Sequence, residues 1–124
     1  MPYRRTENVV RRMAARRDAI VAAAGSLAAE AGIGAVQITP VARRADVATG
    51  TVYRYFPSKD DLVAALVADV SERELSAMRR AADAAPGPLS ALAAALTTYA
   101  ARALANRKLA FALIAEPADA AEDA

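Results

Sequence analysis

Apolar residues recur at helical spacing along most of this chain, and Gly, Pro and Asp cut the pattern into pieces of unequal length. Ile20, Ala24, Leu27 and Ala31 fall at i, i+4, i+7 and i+11, which predicts a helix over about residues 16–31. Gly32 and Gly34 are expected to end it as a C-cap and a loop. Two short segments follow. Thr39-Pro40 predicts a helix start, because Thr is a good N-cap and Pro is tolerated at the first helical position; Val41, Ala42 and Ala45 give that helix its apolar side. Asp46 sits where the chain must turn, and Asp is one of the few non-Gly residues that tolerates a left-handed backbone. A second short helix is expected over about residues 49–56, with Val52 and Phe56 spaced i, i+4 to point inward together. Pro57-Ser58 breaks the chain, and Ser58 with Asp61 approximates a capping box for the next helix.

That helix is expected to reach about residue 84, with Leu62, Leu66 and Val70 as its inner stripe and Asp69, Glu72, Glu74, Arg79 and Arg80 on its wet side. Ala85-Pro86-Gly87-Pro88 is a clear break. Beyond it Leu89, Leu92, Ala93, Leu96, Tyr99, Ala100, Ala103 and Leu104 keep helical spacing over four turns. Asn106-Arg107 interrupts, residues 108–115 form a short, very apolar helix, and the acidic, Ala-rich tail from Glu116 to Ala124 is expected to fray. Strand patterns are absent, so the fold class is all-α, and 124 residues make one domain, or one domain plus a fragment of another.

Composition narrows the chemistry. There is no Cys and no His, which excludes disulfides and thiolate or imidazole metal sites and removes the commonest catalytic nucleophile and base. No paired carboxylates share an apolar face; Asp60 and Asp61 are first-turn acids that suit a helix N-terminus. The expectation is a protein without enzymatic activity and without a cofactor. The lack of Cys fits a reducing cytoplasm, where the chain is expected, and no segment is long and apolar enough to span a membrane.

The net charge of +2 hides an asymmetry. Residues 1–59 carry ten Lys/Arg against four Asp/Glu, and residues 60–124 carry six against ten. Two ordinary solvated surfaces would account for this; so would a basic half that faces phosphates and an acidic half that faces elsewhere. Residues 1–15 form a basic arm, since Arg4, Arg5, Arg11 and Arg12 stand there against the single acid Glu7, with Arg16 and Arg17 just beyond. Such an arm can reach phosphates or a minor groove, can be a disordered solvated tail, or can extend the first helix backwards.

With Val52 and Phe56 turned in, Thr49, Thr51, Tyr53, Arg54 and Tyr55 lie largely outward, on a face that is short, polar, aromatic and basic and carries no acid. A helix-turn-helix uses such a face to enter a DNA major groove. The run from Ala45 to Phe56, ADVATGTVYRYF, followed by Ser58-Lys59 and Leu62, resembles the DNA-binding domain of the TetR family of transcriptional regulators. The G-T-V-Y-x-Y-F-x-S-K core is long and specific, and the resemblance covers about residues 16–66, with a weaker echo in LAFALIAEP, residues 109–117. Three positions depart from the family. Asp46 stands where Gly is usual, Ala48 stands where a Ser cap is usual, so that Thr49 is an alternative cap, and Ala28 replaces a bulky aromatic.

The resemblance implies a three-helix, homeodomain-like head over residues 16–66, then a linker helix and a partial ligand-binding and dimerisation domain over residues 67–124. It also implies roles for single residues. Tyr53 is similar to the family's phosphate-binding tyrosine, and Thr51 to a threonine on backbone or base edge; Tyr55 occupies a position often filled by a phosphate-binding His. For both tyrosines the competing use is core packing. Lys59 matches the family's lysine at the start of the next helix, where a phosphate would relieve an unfavourable charge on the helix dipole. Thr49 and Gly50 come early in the helix, near the groove floor, and Arg54 is free to bind phosphate or guanine. Thr39 is a cap first and a DNA contact second, while Arg43 and Arg44 either reach phosphate or serve solubility.

The function expected is a sequence-specific regulator, a ligand-responsive repressor that binds a palindromic operator in double-stranded DNA as a homodimer and is released by a small-molecule effector. The competing expectation is a truncated helical interaction module that heterodimerises with a longer regulator. It rests on the apolar faces past Pro88, which have too little to pack against: two helices cannot close a sizeable pocket alone, so the chain is either a truncated product or a short form that pairs through them.

Overall fold

A computed structural model describes residues 2–115, with side chains from Arg4 onward. The order is α1 (Pro2–Ala31), a single 3-10 turn (Ile33–Ala35), α2 (Ile38–Ala45), α3 (Thr49–Tyr55), α4 (Lys59–Asp83), α5 (Pro88–Ala105) and α6 (Arg107–Ile114). All regular structure among the described residues is helical, as expected for an all-α chain. The tail from Glu116 lies outside the described residues.

The head is built by α1 to α4 around one core. Ile20, Val21, Ala24 and Ala28 of α1 meet Val36, Val41 and Ala42 around α2, Val52 and Phe56 at α3, and Leu62 and Leu66 of α4. The spacings that predicted inward faces therefore hold for Ile20/Ala24, Val52/Phe56 and Leu62/Leu66. Gly25 serves close helix approach: a Cβ there would lie 3.3 Å from Leu66 Cδ1, tighter than ordinary contact, so its absence lets α1 and α4 close. Ala28 is fully buried.

Several boundaries differ from expectation. The first helix does not begin near Arg16; α1 runs unbroken from Pro2, so the basic arm extends the helix backwards. Thr39 is not an N-cap. Gln37 holds that place without a side-chain cap bond, its Nε2 donating instead to the Gly34 carbonyl at 3.1 Å. Thr39 and Pro40 become the second and third residues of α2, where proline's missing N–H still costs no intrahelical bond. Glu74 is not on a wet face; it receives a two-pronged ion pair from Arg102 of α5, 2.6 Å from Nε and 3.1 Å from an outer guanidinium nitrogen. That pair ties α5 to α4.

The body beyond the head is only partly covered. α6 folds back on α1, with Ala112 buried and Leu109 and Leu113 against the core. α5, by contrast, contains no buried residue. Its small side chains Ala91, Ala94, Ala95 and Thr98 are half-covered, whereas Leu89, Leu92, Leu96, Tyr99 and Leu104 stand open to solvent, Leu89 at 82% exposure. Between α4, α5 and α6 lies an open apolar groove of about 370 Å³, lined by Val67, Leu75, Met78, Tyr99, Leu113 and Ile114 among others, with Glu74 and Arg102 at its edge. No helix of the described residues is long and apolar enough to cross a membrane.

Candidate nucleic-acid interface

The turn between α2 and α3 is made by Asp46, whose φ of 57° and ψ of 48° are left-handed, and whose N–H closes α2 on the carbonyls of Ala42 and Arg43. It stands in for glycine at a modest conformational cost. α3 then starts from Ala48, not from Thr49. Ala48 is extended, its carbonyl accepts from Thr51 N at 3.0 Å, and it contributes no side-chain cap. Thr49 is thereby left exposed as the first helical residue. The missing cap gives a direct prediction: Ala48→Ser should raise the unfolding free energy by about 1 kcal/mol, measured by chemical denaturation, because a Ser Oγ can accept an N–H that no side chain now caps.

Helical geometry decides which side chains of α3 are presented. Val52 is fully buried, and Gly50 and Arg54, two residues away on either side, lie opposite it. Both are exposed. A Cβ on Gly50 would meet nothing within 4 Å, so packing inside the chain does not require glycine there. What glycine leaves is an open backbone in the middle of the outward face. Tyr53 flanks that face at 51% exposure, and its hydroxyl has no partner among the described residues. Tyr55 differs: it is half-buried and packs on the core, so its ring is structural and only part of it faces out. Thr51 is half-buried as well.

The other sequence-predicted positions border this face. Lys59 is the first residue of α4 and is half-buried. Its helix is held by a reciprocal cap: Asp61 N–H donates to Ser58 Oγ at 3.2 Å, and Ser58 N–H donates to Asp61 Oδ2 at 3.2 Å. Thr39 and Arg43 are exposed on α2. Arg44 is engaged elsewhere. It lies 2.6 Å from Glu30 of α1 and holds that carboxyl below the ordinary carboxylate range, chiefly through their hydrogen bond. A carboxyl with a lowered folded pKa contributes stability above its ordinary pKa and loses it on acidification, so this tie between α1 and α2 should loosen as pH falls through the folded pKa. Sequence spacing gave no sign of the pairing, because the partners are 14 positions apart.

In the sequence Arg17 reads only as a continuation of the basic arm. Its guanidinium stacks 5.5 Å from the centre of the Phe56 ring, which joins the middle of α1 to the end of α3. No group of three or more His, Cys, Asp or Glu able to hold a metal occurs among the described residues.

Residues 20–66 match the sequence profile of bacterial regulatory proteins of the tetR family. The chain is 52% identical over 58 residues to the HTH-type transcriptional repressor KstR of Rhodococcus jostii, covering 47% of this chain and 27% of that protein. To KstR of Mycolicibacterium smegmatis it is 44% identical over 77 residues, covering 62% and 38%. To the HTH-type transcriptional regulator HbdR of an Aromatoleum species it is 33% identical over 92 residues, covering 74% and 40%. The chain thus spans well under half the length of these relatives. Among solved structures, a TetR-family protein of Vibrio parahaemolyticus superposes with a TM-score of 0.54 and 28% identity, over 77% of this chain and 63% of that one. Matching head, matching motif and a shared helical architecture all point one way: residues 20–66 carry the domain of the tetR family of bacterial regulatory proteins.

Proposed function

We propose that this chain is a DNA-binding transcriptional repressor whose α3 reads an operator in the major groove. The observation that carries the proposal is the outward face of α3, where Gly50 and Arg54 lie opposite the buried Val52, Tyr53 stands beside them with a free hydroxyl, and no acid intervenes. The KstR relatives are themselves repressors. In the proposed complex Thr49, Gly50 and Thr51 approach the base edges, Arg54 binds guanine or phosphate, and Tyr53, Lys59, Arg43 and Thr39 bind backbone phosphates. Tyr55 is a lesser contact because half of its ring is committed to the core, and Arg44 a lesser one because Glu30 holds it.

One short helix covers too few base pairs for genomic specificity, so the proposal includes a homodimer on a palindromic site. The head is residues 16–66, and the helices from residue 67 on form the regulatory region. An effector would occupy the apolar groove between α4, α5 and α6, where Glu74 and Arg102 offer the polar groups that would orient it. The role is one of binding, without catalysis, in the cytoplasm. The second reading, a module that heterodimerises with a longer regulator, is favoured only by the uncovered Leu89–Leu92–Leu96 side of α5.

Fluorescence anisotropy with labelled duplex from upstream of the gene, at several salt concentrations, tests the proposal. Tight, competitor-resistant binding at two chains per site, weakened at least tenfold by Tyr53→Ala, is the expected result. Binding equal on random DNA and abolished at moderate salt would overturn the homodimer and favour the second reading.

A further inference from the structure

The first four turns of α1 are unaccounted for by the head. Every described side chain from Arg4 to Ala19 is exposed, and the helix still runs unbroken through them. Their direction is fixed by contacts further along. The C-terminal end of α1 meets α6, since Ala28, Ala29 and Glu30 line a shallow groove with Arg107, Lys108 and Phe111. Arg17 meets Phe56 at the end of α3. The residues before Arg17 run on beyond that contact with no buried side chain among the described residues, for about 22 Å at 1.5 Å per residue.

This extension is two-sided. At 3.6 residues per turn, Arg4, Arg5, Arg12 and Arg16 fall within an arc of about 120° that contains Asn8 and Ala15 and no acid, with Arg11 at its edge. None of these five arginines has an ion-pair partner among the described residues. Arg5, Arg12 and Arg16 continue the same side of α1 that holds Ala23 in the core and Glu30 against Arg44 of α2. The basic row leaves the head on the side of α2, the helix that in a helix-turn-helix crosses the DNA backbone. Arg12 and Arg16, spaced i, i+4, repel each other in the free helix; anions would reverse that penalty.

We infer that the N-terminal half of α1 is a rigid arginine rod that binds DNA phosphates flanking the site read by α3. It does not enter the minor groove as an extended arm would, because a helix about 10 Å across does not fit a groove about 6 Å wide. A lipid surface is the less fitting partner. Outside the arginine arc the rod offers Val9, Val10 and Met13, all about half exposed, and none of the large Trp, Phe or Leu side chains with which interfacial helices bury themselves.

The inference rests on the DNA-binding reading, and the test separates the two. Binding of the full chain to operator duplexes with and without about ten flanking base pairs per side is measured across a salt series, for the wild type, for R5Q/R12Q/R16Q and for Tyr53→Ala. Glutamine keeps helix propensity while removing charge. The expected result is that the triple variant binds the long duplex at least tenfold more weakly than the wild type, with a slope of log K against log salt shallower by about 0.9 for each phosphate that an arginine no longer neutralises, and that the short duplex is bound alike by both. Equal affinity and slope for wild type and triple variant on the long duplex, with Tyr53→Ala still defective, would overturn the rod and leave the head standing. Failure of the wild type on every duplex would remove the DNA-binding reading, and the rod with it. Loss of binding to anionic phosphatidylserine vesicles in the triple variant, with its DNA slope unchanged, would mean a membrane partner and equally overturn the inference.

Discussion

Arg54→Ala is expected to weaken operator binding by two orders of magnitude or more. Arg54 stands in the middle of the outward face of α3, opposite the buried Val52, with no acid on the head engaging its guanidinium. A hydrogen bond to a charged group, or a two-pronged contact with guanine, is worth roughly 1.5–3 kcal/mol, and a dimer makes it twice. The substitution leaves the fold alone, because the side chain is exposed and packs on nothing in the core. Anisotropy on operator and random duplexes separates the two ways in which Arg54 can act. A base contact would cost affinity for the operator and leave random DNA unchanged, whereas a phosphate contact would cost both and flatten the salt dependence. Arg44→Ala supplies the contrast on the neighbouring helix. Its guanidinium is already held by Glu30, so its removal should change affinity less than about threefold. An Arg54→Ala variant that binds as tightly as wild type would remove α3 from the interface.

The second large effect is on stability. Leu62→Ala should cost about 3 kcal/mol in unfolding free energy, and Leu75→Ala, on the same helix, less than about 1 kcal/mol. Leu62 of α4 is fully buried in the core of the head, whereas Leu75 is 50% exposed at the groove. Removing a core leucine side chain costs its transfer free energy plus the cavity that remains, commonly about 2–5 kcal/mol; an exposed one costs little of either. For so small a head, whose total stability is of the order of 5–10 kcal/mol, the first change is a large fraction of the whole. It should also weaken DNA binding indirectly, because Leu62 anchors the turn of α4 that carries Lys59 and the Ser58–Asp61 cap. Urea unfolding followed by circular dichroism measures both variants. A loss for Leu75→Ala as large as that for Leu62→Ala would mean that α5 and the groove are covered in solution.

Much of the head was legible from local chemistry. Val52 and Phe56 are separated by one helical turn, so an inward pair on a short helix followed from spacing, and the face left outward followed with it. Asp46 in a left-handed turn and Ser58 capping with Asp61 were equally readable, because each is decided by residues within four positions. Where the expectation was local but wrong, a competing local option won. Gln37 took the start of α2 and pushed Thr39 inside, since proline is accepted anywhere in a first turn and does not by itself fix the cap. In the arm, glycine and proline are absent between Pro2 and Gly25, so nothing in the sequence stops the helix near Arg16.

The sequence alone thus determined an all-α chain, the order of its helices and the character of the α3 face, because helical periodicity and capping act over a few residues. Tertiary structure decided what each face meets. Only the fold joined Arg44 to Glu30 and Arg102 to Glu74, taking one arginine away from the interface and one carboxylate away from solvent. Only the fold put the alanines of α5 against α4 and left its leucines outside, an arrangement that periodicity cannot choose because both rows repeat at helical spacing. And only the course of α1 past Phe56 turned a run of arginines into a straight row with a direction. These pairings join residues far apart in the chain, and they depend on how helices cross, a property that no single helix carries in its own sequence.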